Sequence, residues 1–358
     1  MTDTRAVPGP ADLSQRDLRI LGAILQDYIA SPEPVGSRAL ARNHGLDISP
    51  ATVRNVMSDL EALGYLSKPH TSAGRVPTPK AFRLYVESFL RVRPLEQAER
   101  EQVDKGYDPP ADEISSLMQQ TGRILNKLTR QAAVVATPKL AQAVLQHISF
   151  VRLREDRVLA VLVTSSGVVQ NRALTVDFQV SQDELDNMTR YLEELLGEVR
   201  GSLPEIRSRL AGELAEDRAR YDRLASRAME LGRRALLELD EPRIQDVVVA
   251  GELSLLDAPE FADREKMREL LDSLSEKENL LRILERAEES PGIRIFIGAD
   301  SELVGGEDVS LIVASYRGSG SILGTLGVIG PTRMDYARVI PYVEYTADLL
   351  AGIFEGRR

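Results

Sequence analysis

A chain of 358 residues with 43% hydrophobic content is long enough for two or three cores and reads as globular. It holds no cysteine and three histidines (His44, His70 and His147), which excludes disulfides and thiolate chemistry and argues against a metal, cofactor or catalytic constellation. Its formal charge of −10 argues against a nucleic-acid binder only until the charge is divided by region, because binding depends on local potential.

The first dozen residues, rich in proline and small polar types, predict a loose arm. Ser14 with Asp17 then predicts a capped helix that carries Leu18, Leu21, Ile24, Leu25, Tyr28 and Ile29 on one face and stops before Pro32. Ser37 opens a short second helix through Asn43, closed by Gly45. The third helix has the clearest bounds. Ser49 is its N-cap, Pro50 sits where a missing N–H costs nothing, and Gly64 supplies the left-handed residue that ends it. Val53, Val56, Met57, Leu60 and Leu63 form its apolar stripe, so Ala51, Thr52, Arg54, Asn55 and Ser58 point outward. Short or hydrogen-bonding side chains on the exposed N-terminal part of a helix are what a major groove admits, arginine suiting guanine and asparagine adenine. Thr52, Arg54, Asn55 and Ser58 are therefore the base-reading candidates.

Residues 65–68 and 75–78 can pair as a hairpin around a turn at 69–74, and prolines 69 and 77 confine that hairpin to an edge or wing. Residues 38–83 hold seven basic residues against three acidic ones, so this segment is locally cationic while the rest of the chain is acidic. Arg38, Arg42, Lys68, His70, Thr71, Ser72, Arg75 and Lys80 are the candidates for phosphate and wing contacts, which position a protein without reading sequence. A further helix over 80–90, with Phe82, Tyr85, Val86 and Phe89 on one side, packs back on this unit. Residues 1–93 thus make a winged-helix DNA-binding domain, followed by a linker and connecting helix at 94–132.

Strand-like runs at 147–153, 158–164 and 168–176 read as an antiparallel meander. Amphipathic helix takes over from 183, with Leu185, Met188, Leu192 and Leu195 and then Leu203, Ile206, Leu210 and Leu214 at helical spacing. One capped helix over 264–289 precedes strands at 293–297, 309–314 and 322–329. Three strands are too few to bury a core, so the six are expected in one sheet with helices on one face, interrupted by a helical insertion that serves self-association. The expected division is 133–182, then the insertion 183–262, then 263–358. The glycine-rich stretches 298–306 and 318–330 fit neither a dinucleotide fingerprint nor a P-loop and read as hairpin turns and bulges. No nucleophile elbow, metal set or nucleotide loop is visible, so an enzyme is not expected. The longest apolar runs, such as residues 247–250, fall far short of a membrane span, and no signal-peptide pattern opens the chain, so a cytoplasmic location is expected.

The motifs PVGSRAL (34–40), SPATVRNVMSDLEALGYL (49–66) and KPHTSAGRVPT (68–78) resemble HrcA, the heat-inducible transcription repressor family of bacteria. Weaker likeness runs through LVTSSGVVQNR (162–172) and SILGTLGVIGPTRMDY (321–336), so the resemblance covers nearly the full length. It implies an α+β multidomain protein: an N-terminal winged helix-turn-helix and a GAF-like antiparallel sheet domain with an inserted, largely helical dimerisation domain. It implies a homodimer on double-stranded DNA, at an inverted-repeat operator known for the family as CIRCE, upstream of chaperone operons. It also implies the chaperonin GroEL as a partner that keeps the repressor in its binding-competent fold until heat diverts it. The alternative is a small-effector-responsive regulator that senses a metabolite through the GAF-like domain.

Overall fold

The computed structural model describes residues 13–45, 48–69, 74–107, 114–137, 145–164, 169–198, 223–237, 247–288, 292–298, 306–318 and 321–354. The first unit is α1 (Gln15–Ala30), α2 (Ser37–Asn43), α3 (Pro50–Ala62), the antiparallel pair β1 (Leu66–Ser67) and β2 (Val76–Pro77), and α4 (Pro79–Ser88). Local chemistry sets these bounds. Ser14 and Asp17 form the reciprocal capping box of α1, the Ser49 hydroxyl accepts from the Thr52 N–H at 3.1 Å, and Gly64 stands at φ +77° where α3 stops. A winged helix-turn-helix results, as the sequence predicts.

After α5 (Gln97–Asp104) and α6 (Ile114–Thr129) comes the main sheet. It is antiparallel and five-stranded, in the order β7 (Val247–Ala250), β3 (Ala132–Ala136), β10 (Ser321–Pro331), β9 (Val309–Gly318) and β8 (Ile293–Ile297). Along β3, Ala133 and Val135 pack in the core shared with α6 and α11 (Tyr336–Phe354). Ala132, Val134 and Ala136 pack on the other side with α9 (Arg264–Ser275) and α10 (Lys277–Glu288). Helices therefore cover both faces of this sheet rather than one. The helix expected over 264–289 is two, parted at Glu276, whose ψ of 87° leaves the helical region.

The remaining strands, β4 (Leu145–Arg154), β5 (Arg157–Thr164) and β6 (Val169–Thr175), form a separate three-stranded sheet. Their inward residues Ile148, Phe150, Val158, Ala160, Leu162 and Leu174 bury against α7 (Gln182–Glu198) and α8 (Arg223–Leu237) in a core of their own. This corrects the single six-stranded sheet and moves the start of the inserted unit from 183 to between β3 and β4. The physical reason is that β3 and β7 are short strands in a sheet covered on both sides, so AAVVA and VVVA show no period-two alternation and do not announce themselves. With both in place the main sheet reaches five strands without borrowing. The leucine pattern at Leu203, Ile206, Leu210 and Leu214 lies outside the described residues. In the 318–330 stretch, β10 pairs antiparallel with β9 from Ser321 opposite Gly318, with a register irregularity between Ile322 and Gly324, while 319–320 and 299–305 lie outside the described residues.

The winged helix shares the core of the body. Phe82 lies 6.4 Å from both Tyr28 and Tyr336, ring centre to ring centre, and Arg83 Nη2 donates to the Ile297 carbonyl at 3.2 Å. Arg333 pairs with Glu260 and reaches the Ile29 carbonyl at 3.4 Å. Burial raises the Tyr28 phenol pKa, and the Glu260 carboxylate adds to the rise. Among the described residues no helix is long and apolar enough to cross a membrane.

Candidate nucleic-acid interface

Position on α3 decides which side chains can touch a ligand. Val53, Val56, Met57 and Leu60 are buried against α1 and α2, which turns Arg54, Asn55 and Ser58 to solvent along the opposite face. Thr52 is half-buried, its hydroxyl 3.0 Å from that of Ser49. The face carries one cation and small polar groups, and one acid, Asp59, is exposed directly after Ser58.

Arg38 and Arg42 are exposed on α2, and Lys68 is exposed at the end of β1. These three and Arg54 supply the accessible positive charge around α3. His70, Thr71 and Ser72, at the wing tip, lie outside the described residues. Arg75 and Lys80 are placed differently. The Arg75 guanidinium meets Glu61 at 2.7 Å with 18% of its side chain exposed, and the Lys80 ammonium donates to the Leu63 carbonyl at 2.9 Å while lying 4.4 Å over the Tyr65 ring.

Three partners went unnoticed in the sequence. Glu61 holds Arg75, and Asp27 on α1 holds His44 at 2.7 Å. Val35 pairs through both backbone hydrogen bonds with Arg75, each 2.9 Å, adding a third segment to the wing sheet. Glu61 carried a signal, an acid on the last turn of a helix followed by a basic hairpin. Val35 did not, because a single bridged residue has no pattern.

A cationic helix face flanked by a wing is an arrangement for duplex DNA: the helix enters the major groove and the wing lies along the backbone. Comparison with known proteins narrows this. A family model described as "Winged helix-turn-helix transcription repressor, HrcA DNA-binding" matches residues 12–88, and one described as "HrcA protein C terminal domain" matches residues 115–340. The chain is 44% identical over 345 residues to the heat-inducible transcription repressor HrcA of Geobacter sulfurreducens, spanning 96% of this chain and 99% of that one. It is 40% identical over 346 residues to that of Syntrophobacter fumaroxidans, spanning 96% and 98%. A crystal structure described as that of a hypothetical protein shares the fold with a TM-score of 0.63 at 22% identity, covering 97% of this chain and 100% of that one.

Proposed function

Because the chain belongs to the HrcA family of heat-inducible transcription repressors, DNA-binding proteins rather than enzymes, we propose that it silences heat-shock chaperone operons from an inverted-repeat operator of the CIRCE type. It binds there as a homodimer in the cytoplasm, and the chaperonin GroEL maintains its binding-competent fold. Heat diverts the chaperonin to unfolded clients, the repressor loses its fold and the operons are released.

The observation that carries this reading is the exposed Arg54, Asn55 and Ser58 face of α3 beside the wing, with Thr52 at its N-terminal edge. These four residues read bases, while Arg38, Arg42 and Lys68, with the wing tip at His70, Thr71 and Ser72, meet phosphates. Self-association is supported by the inserted unit. Its sheet buries one face under α7 and α8, and the opposite face leaves Val151, Leu153 and Val169 exposed at 44, 50 and 53%. Large apolar side chains on one open sheet face favour a second copy. Two recognition helices related by a two-fold axis match an inverted repeat.

A footprint on the DNA upstream of the organism's own chaperonin operon, with and without added chaperonin, tests the proposal. A protected inverted repeat that strengthens with chaperonin is expected, and protection under neither condition would overturn it.

A further inference from the structure

We infer that Arg75 and Lys80 are positioning residues: they set the angle between wing and recognition helix and do not grip phosphate. This rests on the DNA-binding reading of α3.

Both cations are engaged at one joint. The Arg75 guanidinium meets Glu61 on the last turn of α3 at 2.7 Å, and the Arg75 backbone exchanges two hydrogen bonds of 2.9 Å with Val35. One residue therefore ties the wing to α3 and to the segment between α1 and α2. A Cβ on Gly74 would stand 2.4 Å from the Val35 carbonyl oxygen, so the backbones meet more closely than any other residue type permits. Lys80 places its ammonium on the Leu63 carbonyl at the C-terminal end of α3, where the helix dipole favours a cation, and lays it over the Tyr65 ring. Thr78 adds a bond from its hydroxyl to the Gly64 carbonyl at 2.8 Å. The contacts that reach α3 and its C-terminal end converge on residues 61–65, whereas the reading residues lie at 52–58.

That separation makes the joint a lever. Arg54 is seven residues from Glu61, about 10 Å along the axis at ~1.5 Å per residue, so a swing of about 10° about the joint moves Arg54 by nearly ~2 Å. A displacement of that size breaks a bidentate base contact. For either cation to bind phosphate it must first abandon Glu61 or strip a helix-terminal carbonyl. Lys68, exposed nearby, makes no such tie among the described residues and is the better phosphate ligand.

Salt dependence separates the two roles, because each lost phosphate contact lowers the slope of log affinity against log salt by about 0.9. The experiment measures the full-length chain and its variants on an inverted-repeat duplex from upstream of the chaperonin operon and on a scrambled duplex, over a range of salt concentrations. Arg75→Gln and Lys80→Gln are expected to weaken inverted-repeat binding by about tenfold, with lines parallel to wild type and reduced discrimination between duplexes. Lys68→Gln should flatten the slope on both duplexes. Glu61→Ala keeps the Arg75 charge and removes an acid from the DNA side, yet should weaken inverted-repeat binding as well. Should Arg75→Gln fail to fold by circular dichroism, Arg75→Lys decides, since it keeps charge without the forked geometry and should still lose discrimination. A slope lowered by about 0.9 in Arg75→Gln or Lys80→Gln, tighter binding by Glu61→Ala, or wild-type behaviour of Arg75→Lys would overturn the inference. A wild-type chain that binds both duplexes alike refutes the operator reading instead, and the slopes on the scrambled duplex still decide between the two roles.

Discussion

Arg54 and Asn55 are exposed immediately after Val53, which is wholly buried, and that adjacency is the whole logic of a reading helix: packing on one side fixes what the other side presents. Arg54→Ala should cost roughly 1–3 kcal/mol on the operator and relax base preference at one position, whereas Lys68→Ala should weaken binding to every duplex and flatten its salt dependence. Gel-shift titrations of operator and scrambled DNA at two salt concentrations check both, and unchanged operator affinity in Arg54→Ala would sink its base-reading role. Gly74→Ala pushes a methyl to 2.4 Å from a backbone oxygen that no rotamer change can relieve. It should open the bridge between Val35 and Arg75, seen as faster amide exchange at those two positions and weaker DNA binding. The cap, the left-handed Gly64 and the outward Arg54 were all legible because each depends on neighbours within one turn of helix. The pairing of Arg75 with Glu61 was not, since it joins residues fourteen apart across a hairpin.

Among the elements, β3 and β7 decide the topology. They pair in register with Ala136 opposite Val247, so the chain leaves the main sheet and returns to it at adjacent points. The inserted unit therefore hangs from what would otherwise be a hairpin, and its strands and helices bury their own core. Replacing residues 138–246 by a short turn should leave the winged helix and main sheet folded, because few-residue connections suit antiparallel neighbours. The shortened chain should run as a monomer in light scattering and lose affinity for an operator with two half-sites. A shortened chain that stays dimeric would remove self-association from the insertion. At the start of α3, Ser49→Ala deletes the bond to the Thr52 N–H and should lower thermal stability by about 0.5–2 kcal/mol.

For the whole molecule, the consequence lies in the shared core. Phe82 of α4 is wedged between Tyr28 and Tyr336 and is 2% exposed, so the DNA-reading unit and the body bury one another's apolar surface. Phe82→Ala should cost about 3–5 kcal/mol. It should lower the temperature at which DNA binding is lost together with the temperature at which the body unfolds. Calorimetry and operator binding followed on the same heating ramp should show winged helix and body failing in one transition. Two separate transitions, with DNA binding surviving the first, would show the units to be thermally independent. Joint failure is what a heat-released repressor requires, since warming the body then disables the reader.

By itself the sequence determined the winged helix, the exposed face of its third helix and its family. Those depend on caps, helical periodicity and contiguous motifs, all of which are local in the chain. Only the tertiary structure decided which strands share a sheet, which cations of the wing are tied to α3, and that reader and body have a common core. Those outcomes turn on contacts between segments far apart in the chain, and strands buried on both faces carry no alternation to reveal them.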